Sequence, residues 1–361
     1  MATFLQALGG TFRKDLIIWR RDRPVLAVGV AAPLVLLFIM ALFFGGGGQP
    51  DATPVVLLAE GQGPVTQRLA ETFGRIRSQV SPWWKLLPPD PALFAREEVP
   101  GMAVIPADFD YSLTLVFYLH NWNSDMDQNY RYRLAYTLKT FEEGFPANRG
   151  IRVARRETLA RDVTWTGYMA GGVLAYAAMV AGILYGGVAA TREAERGTAR
   201  LLTLSPASPW AVSLGKAMAA AVGALASALV AWALGRMLWG VRVAGPAGWL
   251  VGVLALQALT FSGLGVLLGN LVRRQHLLML PTGLIALPLW FLSGGIGPVA
   301  LFPETLNVVA RWLPTTYAFG AVNDLVLLGS TARLGTAVVA MAATATLTLA
   351  LAGAASVRGG R

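Results

Sequence analysis

Long runs of apolar residues recur along this chain and set the first expectation about its structure. The first run, Val25–Phe44, contains no charged residue. Twenty helical residues rise about 30 Å, enough to cross the hydrocarbon core of a bilayer. Five more apolar runs follow in the second half: Trp165–Ala190, Ala217–Trp239, Trp249–Leu271, Leu277–Gly294 and Leu334–Ala355. The pattern predicts an α-helical integral membrane protein with six transmembrane helices, one before and five after a long polar segment.

The first apolar run, 25–44, could instead be a cleaved signal peptide. It is longer than a typical signal core, and no small-x-small cleavage site is evident in Gly45–Gly48. We therefore expect a first span that is retained in the mature protein.

The stretch 298–328, before the last run, is hydrophobic but interrupted. Five residues break it: Pro303, Glu304, Asn307, Arg311 and Pro314. It is too polar for a simple lipid-facing span, since irregular backbone at membrane depth must be buried in protein or touch water. We expect re-entrant or interfacial outer helices here instead of a seventh crossing.

Residues 45–164 have the composition of a soluble domain. Their pattern predicts strands Val55–Ala59, Gly101–Pro106 and Leu113–Leu119, a helix beginning at Pro64 and a helix over Tyr130–Phe145. This is a small α/β domain inserted after the first span. Its acidic pairs, such as Asp108 with Asp110, suit turns and helix caps better than a catalytic site. Trp83 and Trp84 suit contact with a membrane-borne substrate or lipid, or equally packing beneath a loop.

Composition supports the membrane assignment and argues against several chemistries. Hydrophobic residues make up 55% of the 361 residues and charged residues 14%, against about 25% in soluble domains. There is no cysteine, and His120 and His276 lie far apart, which disfavours disulfides and metal or histidine-based centres. Gly215-Lys216 is followed by Ala217 and lacks the upstream glycine of a phosphate-binding loop. We expect no enzyme active site and no cofactor in this chain.

The net charge of +10 is concentrated outside the soluble domain. Residues 50–162 hold 13 Lys/Arg and 14 Asp/Glu, whereas the remainder holds 17 and 6. The excess lies between apolar runs, as in cytoplasmic loops, and not on a nucleic-acid surface. The positive-inside rule places 13 basic residues inside and 4 on short outer segments. We expect both termini in the cytoplasm, an extracytoplasmic α/β domain, and a location in a bacterial or archaeal plasma (inner) membrane.

The segment 1–24 before the first span is amphipathic. Apolar residues recur at helical spacing: Phe4, Leu8, Phe12, Leu16 and Trp19. Basic residues lie between and after them: Arg13, Lys14, Arg20, Arg21 and Arg23. The pattern predicts a cytoplasmic helix in the inner membrane interface. A charged flank that only orients the first span explains the pattern as well, and the two roles are compatible.

The connection 191–216 between the second and third spans carries the most specific pattern. It begins with a charge-dense helix end, Thr191-Arg192-Glu193-Ala194-Glu195-Arg196, and continues through Gly197-Thr198 into a leucine-rich stretch. We expect Gly197-Thr198 to end one helix and cap the next, and Pro206 and Pro209 to end that second helix. The result is a short helix across the inner membrane face, with Leu201 and Leu202 available to a partner.

This connection resembles the signature of the type-2 ABC transporter permease family, in which a charged helix end, a Gly-Thr pair, a Leu-rich helix, a Pro and a Gly-Lys recur at these spacings. The resemblance covers most of the chain, including the segment with Pro303, Pro314 and Tyr317, which forms outer re-entrant helices in that family. It implies an exporter permease, present as a homodimer or a heterodimer, driven by a separate ABC ATPase that binds ATP and Mg. The positions that match the family's ATPase-coupling segment are Arg192, Glu193, Glu195, Arg196, Gly197, Thr198, Leu201 and Leu202, and those from Arg13 to Arg23 match its interfacial helix.

Several alternatives stay open. The charged connection could serve only to orient the spans, although that role needs no acidic residues. The chain could be an ion-gradient-driven secondary transporter, but its spans carry almost no ionisable groups and show no inverted repeat. It could also be a non-transporting assembly or sensor subunit. A transport pathway with apolar walls rich in Gly, Ala, Trp and Phe would suit a lipid-like, drug-like or glycolipid cargo, although small residues also serve helix packing.

Overall fold

The structure of the chain is a computed structural model. It describes residues 2–44, 52–77, 82–121, 124–143, 150–158, 165–198, 207–297, 299, 302 and 304–359. The chain divides into two compact units. The helical unit comprises Met1–Phe43 and Thr166–Arg361, and the α/β unit comprises Phe44–Trp165. The division falls where the apolar runs give way to the composition of a soluble domain.

Two helices open the chain. α1 (Ala2–Arg21) and α2 (Arg23–Phe44) are separated by Asp22 alone. α1 buries Thr11, Asp15 and Trp19, which are four residues apart and therefore share one face. The helix expected in 1–24 is thus present, but its buried face carries a carboxylate that the apolar pattern did not indicate.

The α/β unit is built on a five-stranded sheet. Its elements are β1 (Thr53–Ala59), α3 (Pro64–Arg75), β2 (Trp84–Leu87), α4 (Pro91–Ala95), β3 (Gly101–Ile105), α5 (Phe109–Ser112), β4 (Thr114–Leu119), α6 (Ser124–Glu143) and β5 (Arg152–Glu157). The strand order is β2-β1-β3-β4-β5, and β3 with β4 forms the one antiparallel pair. The core on one face includes Phe73, Phe117 and Tyr130, all nearly inaccessible to solvent. The three strands and two helices expected from the sequence are present, and β2 and β5 are additional.

Two features of the α/β unit settle questions raised by its sequence. Trp84 is 3% exposed and belongs to the core, where its Nε1 donates to Thr137 Oγ1 at 2.9 Å. Asp110 accepts hydrogen bonds from the backbone N–H groups of Val65 and Thr66 at the start of α3, at 3.3 and 3.0 Å. A further hydrogen bond from the Thr66 hydroxyl lowers the pKa of Asp110. Asp110 therefore caps a helix, which is the role expected for these acidic residues.

The second part of the helical unit contains the long apolar helices. Its elements are α7 (Trp165–Glu195), α8 (Pro209–Trp239), α9 (Ala247–Val272), a 3-10 turn (Gln275–Leu278), α10 (Met279–Leu292), α11 (Glu304–Trp312), α12 (Pro314–Asn323), a π turn (Asp324–Leu328) and α13 (Leu334–Gly359). Among the described residues, five helices are long and apolar enough to cross a membrane: Gly167–Glu195, Pro209–Met237, Ala247–Val272, Gln275–Leu292 and Leu334–Val357. The apolar part identified in α2, Pro24–Leu36, is shorter than these.

α7 and α8 are longer than the apolar runs that predicted them. α7 continues past Ala190 to Glu195, and α8 begins at Pro209 instead of Ala217. Pro209 was expected to end a helix but begins one, at a position where its missing N–H costs nothing. The stretch that connects the two helices is therefore 196–208, which lies within the segment 191–216 selected from the sequence.

α7 is the central helix of the helical unit and is buried along its apolar length. It crosses α9 at glycines. A Cβ on Gly186 would lie 2.3 Å from the Ser262 carbonyl oxygen, and a Cβ on Gly265 would lie 2.3 Å from that of Ile183. The small residues at this crossing serve close helix packing, as in other membrane helix pairs.

The interrupted stretch 298–328 contains two short helices, α11 and α12, and no long apolar helix among its described residues. Pro314 is the first residue of α12. The Tyr317 hydroxyl donates to the Arg311 carbonyl oxygen at 2.8 Å, and the Thr316 hydroxyl donates to that of Ala310 at 2.7 Å. These bonds fix the angle between the two helices. Pro303 lies outside the described residues.

Candidate functional site

The end of α7 presents a charged turn to solvent. After Glu195 the chain makes a turn through Thr198, with the N–H of Gly197 donating to the Ala194 carbonyl oxygen at 3.3 Å. Gly197 has φ +67°, a left-handed conformation that glycine adopts without strain and that commonly ends helices. Gly197 therefore ends this helix, as its sequence predicted. The residues from Glu195 to Thr198 are exposed.

Glu193, one turn earlier, faces into the protein and binds two lysines. Its Oε1 lies 2.5 Å from Lys14 Nζ on α1, and its Oε2 pairs with Lys216 Nζ on α8. The side chains of Glu193 and Lys216 are only 12% and 7% exposed, whereas that of Lys14 is 43% exposed. One carboxylate thus joins three helices. Lys216 therefore lies buried within α8 with its charge paired.

Asp15 completes this group on α1. Its Oδ1 lies 3.4 Å from Lys14 Nζ, and its Oδ2 is buried without a hydrogen-bond partner among the described residues. Burial raises the pKa of Asp15, although Lys14 and Lys216 oppose the shift. Burial disfavours the charged form of Lys14, but the attraction of Asp15 and Glu193 outweighs it and raises the pKa of Lys14. Lys14 therefore stays charged, while the ionised form of Asp15 is disfavoured.

A second ion pair joins α7 to the junction of α1 and α2. The Arg192 guanidinium binds Asp22 Oδ2, and its Cζ lies 5.3 Å from the centre of the Trp19 ring. Arg192 and Trp19 are 8% and 4% exposed. Cation–π contact of this kind is stronger when it is desolvated. We refer below to six residues as the charge cluster: Lys14, Asp15, Asp22, Arg192, Glu193 and Lys216.

Glu195 adds a contact to a fourth element. Its Oε1 accepts a hydrogen bond from the backbone N–H of Gln275 at 2.6 Å, at the start of the 3-10 turn before α10. The end of α7 is consequently bound to α1, α8 and the turn that leads into α10. A displacement of this end would therefore act on all three elements, because packed elements transmit strain.

The structure brings together some of the residues selected from the sequence and not others. Lys14, Arg192 and Glu193 meet in the charge cluster, whereas Arg13 and Arg20 are exposed on α1. Residues outside the described part are Leu201 and Leu202, together with the side chains of Arg21 and Arg23.

Sequence reasoning missed Asp15 and Asp22 as members of the site. A signal was available, because both are acidic residues in a strongly basic segment. Asp15 also lies one helical turn from Trp19 on the face that was expected to be apolar. An acidic residue on such a face needs a partner, and a buried lysine or arginine elsewhere is the natural candidate.

The charge cluster consists of salt bridges. Within the described part of the chain, no three His, Asp or Glu residues lie close enough to hold a metal ion. Of the four ion pairs described for it, all but that of Lys14 with Asp15 join α7 to another part of the helical unit. Such an arrangement can hold helices in register and pass on a movement.

These observations together define a multi-pass membrane protein whose central helix ends in an exposed charged turn. The chain belongs to the ABC-2 family: the family model described as "ABC-2 family transporter protein" matches residues 24–354. Members of this family are membrane subunits, not ATPases, and normally pair with an ATP-binding subunit.

Curated relatives support the assignment at low identity. The probable multidrug ABC transporter permease YbhR of Escherichia coli (strain K12) is 24% identical over 212 residues, covering 56% of this chain and 58% of that protein. Nodulation protein J of Rhizobium leguminosarum bv. trifolii is 29% identical over 194 residues, covering 51% and 69%. The inner membrane transport permease YhhJ of Escherichia coli (strain K12) is 26% identical over 149 residues, covering 41% and 40%. No solved structure matches this chain.

Proposed function

We propose that this chain is the membrane-spanning subunit of an ATP-driven exporter. In this proposal α2 is the first of six spans, both termini are cytoplasmic, and the α/β unit and the α11–α12 pair with Pro303, Pro314 and Tyr317 lie on the outer side of the inner membrane. Two permease subunits, identical or similar, form the pathway. The cargo class is a lipid-like, drug-like or glycolipid molecule, and ATP and Mg bind to a separate ATPase.

The proposal rests on one observation: the end of α7 is anchored inside the protein, and the residues that follow are exposed. Arg192 and Glu193 are bound inside the protein, whereas Glu195 to Thr198 are exposed directly after them. A partner that contacts the exposed turn would therefore move α1 and α8 through the ion pairs of the charge cluster. A loop that only oriented the spans by charge would not need this buried anchoring.

The site residues divide into two roles in this proposal. Arg192, Glu193 and Lys14 transmit movement within the chain. Glu195, Arg196, Gly197 and Thr198, with Leu201 and Leu202 beyond them, contact the ATPase, the leucines by filling a groove. Arg13, Arg20, Arg21 and Arg23 hold α1 at the anionic inner surface of the membrane.

The names of the relatives agree with transport as the activity. YbhR is called a probable multidrug ABC transporter permease, and YhhJ an inner membrane transport permease. The buried ion pairs add a reason why a separate energy source would act at this place in the chain.

A charge reversal at the exposed turn tests the proposal. The proposal requires that Arg196 faces an acidic group of the ATPase, so that Arg196→Glu would bring like charges together. We then expect at least about a tenfold loss of ATPase co-purification, which corresponds to about 1.4 kcal/mol. Arg311→Glu on α11 is the matched control and should leave co-purification unchanged. Unchanged ATPase binding by Arg196→Glu, or dye export that persists in ATP-depleted but energised vesicles, would contradict the proposal.

A further inference from the structure

Tyr185 lies at the point where three membrane helices meet. It belongs to α7, its side chain is fully buried, and its hydroxyl contacts α2 and α8. The hydroxyl donates to the Leu26 carbonyl oxygen on α2 at 3.2 Å and lies 2.8 Å from Ser227 Oγ on α8. One side chain therefore makes polar contacts with two neighbouring helices at once.

The two hydrogen bonds of Tyr185 have a defined direction. A tyrosine hydroxyl has one proton, and a carbonyl oxygen can only accept. Both bonds form together only when Ser227 donates to Tyr185 and Tyr185 donates to Leu26. The result is a continuous relay from α8 through α7 to α2, in a region of low dielectric where such bonds strengthen one another.

The packing around Tyr185 is shaped to admit it. A Cβ on Gly29 of α2 would lie 2.1 Å from the Tyr185 hydroxyl, and a Cβ on Gly223 of α8 would lie 3.1 Å from its ring. Larger residues at either place would displace the ring or separate the helices. The two glycines thus let α2 and α8 approach α7 on both sides of this tyrosine.

Tyr185 is also connected to the charge cluster. Its ring centre lies 4.8 Å from that of Trp19, and the other neighbour of Trp19 is the Arg192 guanidinium, 5.3 Å away. Residues 185 and 192 are seven apart on α7 and share a face. Trp19 on α1 therefore contacts both residues, and its ring connects the charge cluster to Tyr185.

We propose that Tyr185 is a positioning residue that makes α2 and α8 follow the movement of the α7 end when the ATPase acts. This inference rests on the proposed function and adds the route by which movement reaches α2. Tyr185 touches neither ATP nor cargo in this account. It acts by holding the Leu26 carbonyl oxygen and Ser227 in a fixed relation to α7.

A reporter on α2 tests the role without any knowledge of the cargo. The chain has no cysteine, so Val28→Cys, at a position that is 39% exposed on α2, can carry a single environment-sensitive fluorophore. The labelled chain is assembled with its ATPase and trapped with ATP and vanadate. We expect Tyr185→Phe to reduce the ATP-dependent fluorescence change by about twofold or more, while ATP hydrolysis by the complex persists.

Tyr176→Phe is the matched control. Tyr176 is also on α7 and packs against Trp290 with ring centres 5.7 Å apart, but its hydroxyl makes no hydrogen bond among the described residues. It should leave the fluorescence change intact. Ser227→Ala should reduce the change, and the double variant with Tyr185→Phe should be no worse than Tyr185→Phe alone, because both remove the same relay.

The outcomes separate this inference from the function on which it rests. A wild-type complex with neither ATP hydrolysis nor an ATP-dependent fluorescence change would refute the proposed function. A normal wild-type response that Tyr185→Phe leaves unchanged, or that Tyr176→Phe reduces equally, would overturn the role of Tyr185. If Tyr185→Phe does not fold, Ser227→Ala carries the test, and an unchanged response in that variant would overturn the relay.

Discussion

Glu193 offers the sharpest test of how the helical unit is held together. Its two carboxylate oxygens bind Lys14 and Lys216, and Lys216 is 7% exposed. Glu193→Gln keeps the shape of the side chain but removes the charge. Lys14 is 43% exposed and can turn to water or to Asp15, so it loses little. Lys216 is left as a buried cation without its direct partner, and only the less closely placed Asp15 still opposes its charge.

The expected loss of stability in Glu193→Gln follows from the burial of Lys216. Removing one partner of a buried ion pair costs about 3–5 kcal/mol, and the amide oxygen of glutamine restores part of one hydrogen bond. We expect a net loss of about 3 kcal/mol in the free energy of unfolding. For a unit of this size, that loss corresponds to a Tm lowered by about 6–12 °C.

Thermal unfolding of the purified chain in one detergent measures this effect. Glu195→Gln is the control, because Glu195 is exposed and makes one hydrogen bond to Gln275, and its Tm should fall by much less. Adding Lys216→Met to Glu193→Gln should recover stability, since it removes the unpaired charge. A Glu193→Gln variant as stable as the wild type, or a double variant that is less stable than Glu193→Gln, would refute the reasoning.

Two further predictions address neighbouring features. Asp15→Asn should raise the Tm at neutral pH, because burial raises the pKa of Asp15 and disfavours its ionised form. This Tm difference should disappear as the pH falls from the raised pKa of Asp15 towards its ordinary value of 3.8, because protonation then removes the buried charge from the wild type. Thermal unfolding over a series of pH values measures it, and a Tm difference that does not change with pH would contradict the prediction. Gly265→Leu should lower the Tm and the folded yield, because the new side chain would collide with the Ile183 carbonyl oxygen. Gly252→Leu on the same helix is the control, because the space beside Gly252 is open. Equal effects of the two substitutions would refute the close packing of α7 and α9.

The hydrophobic pattern located the membrane helices, but the ends predicted from it differ from the observed ones where charged residues occur. The apolar runs correspond to α7, α8, α9, α10 and α13. α8 extends further than predicted because Lys216 was placed in the connection, whereas Arg192 and Glu193 were expected in a charged helix end and lie in α7. Only their pairing in three dimensions makes these charges compatible with burial between helices. Gly197 was placed correctly since its left-handed conformation is a local property of the sequence.

The additional strands and the acidic members of the site show a similar limit. β2 has four residues, and β5 carries four charged side chains among its six residues, so neither has an alternating apolar pattern. Both are edge strands, where charge is tolerated because one side of the strand is unpaired. Asp15 and Asp22 could be recognised as site residues only from their partners on distant helices.

Photo-crosslinking from the exposed turn after α7 tests the central claim most directly. A photoreactive amino acid replaces Arg196 in one variant and Trp312, which is 83% exposed at the end of α11, in another. After irradiation of the assembled complex in membranes, we expect a crosslink to the ATPase from position 196 and none from position 312. An intact complex that gives no crosslink from position 196, or one that crosslinks the ATPase from position 312, would contradict the account.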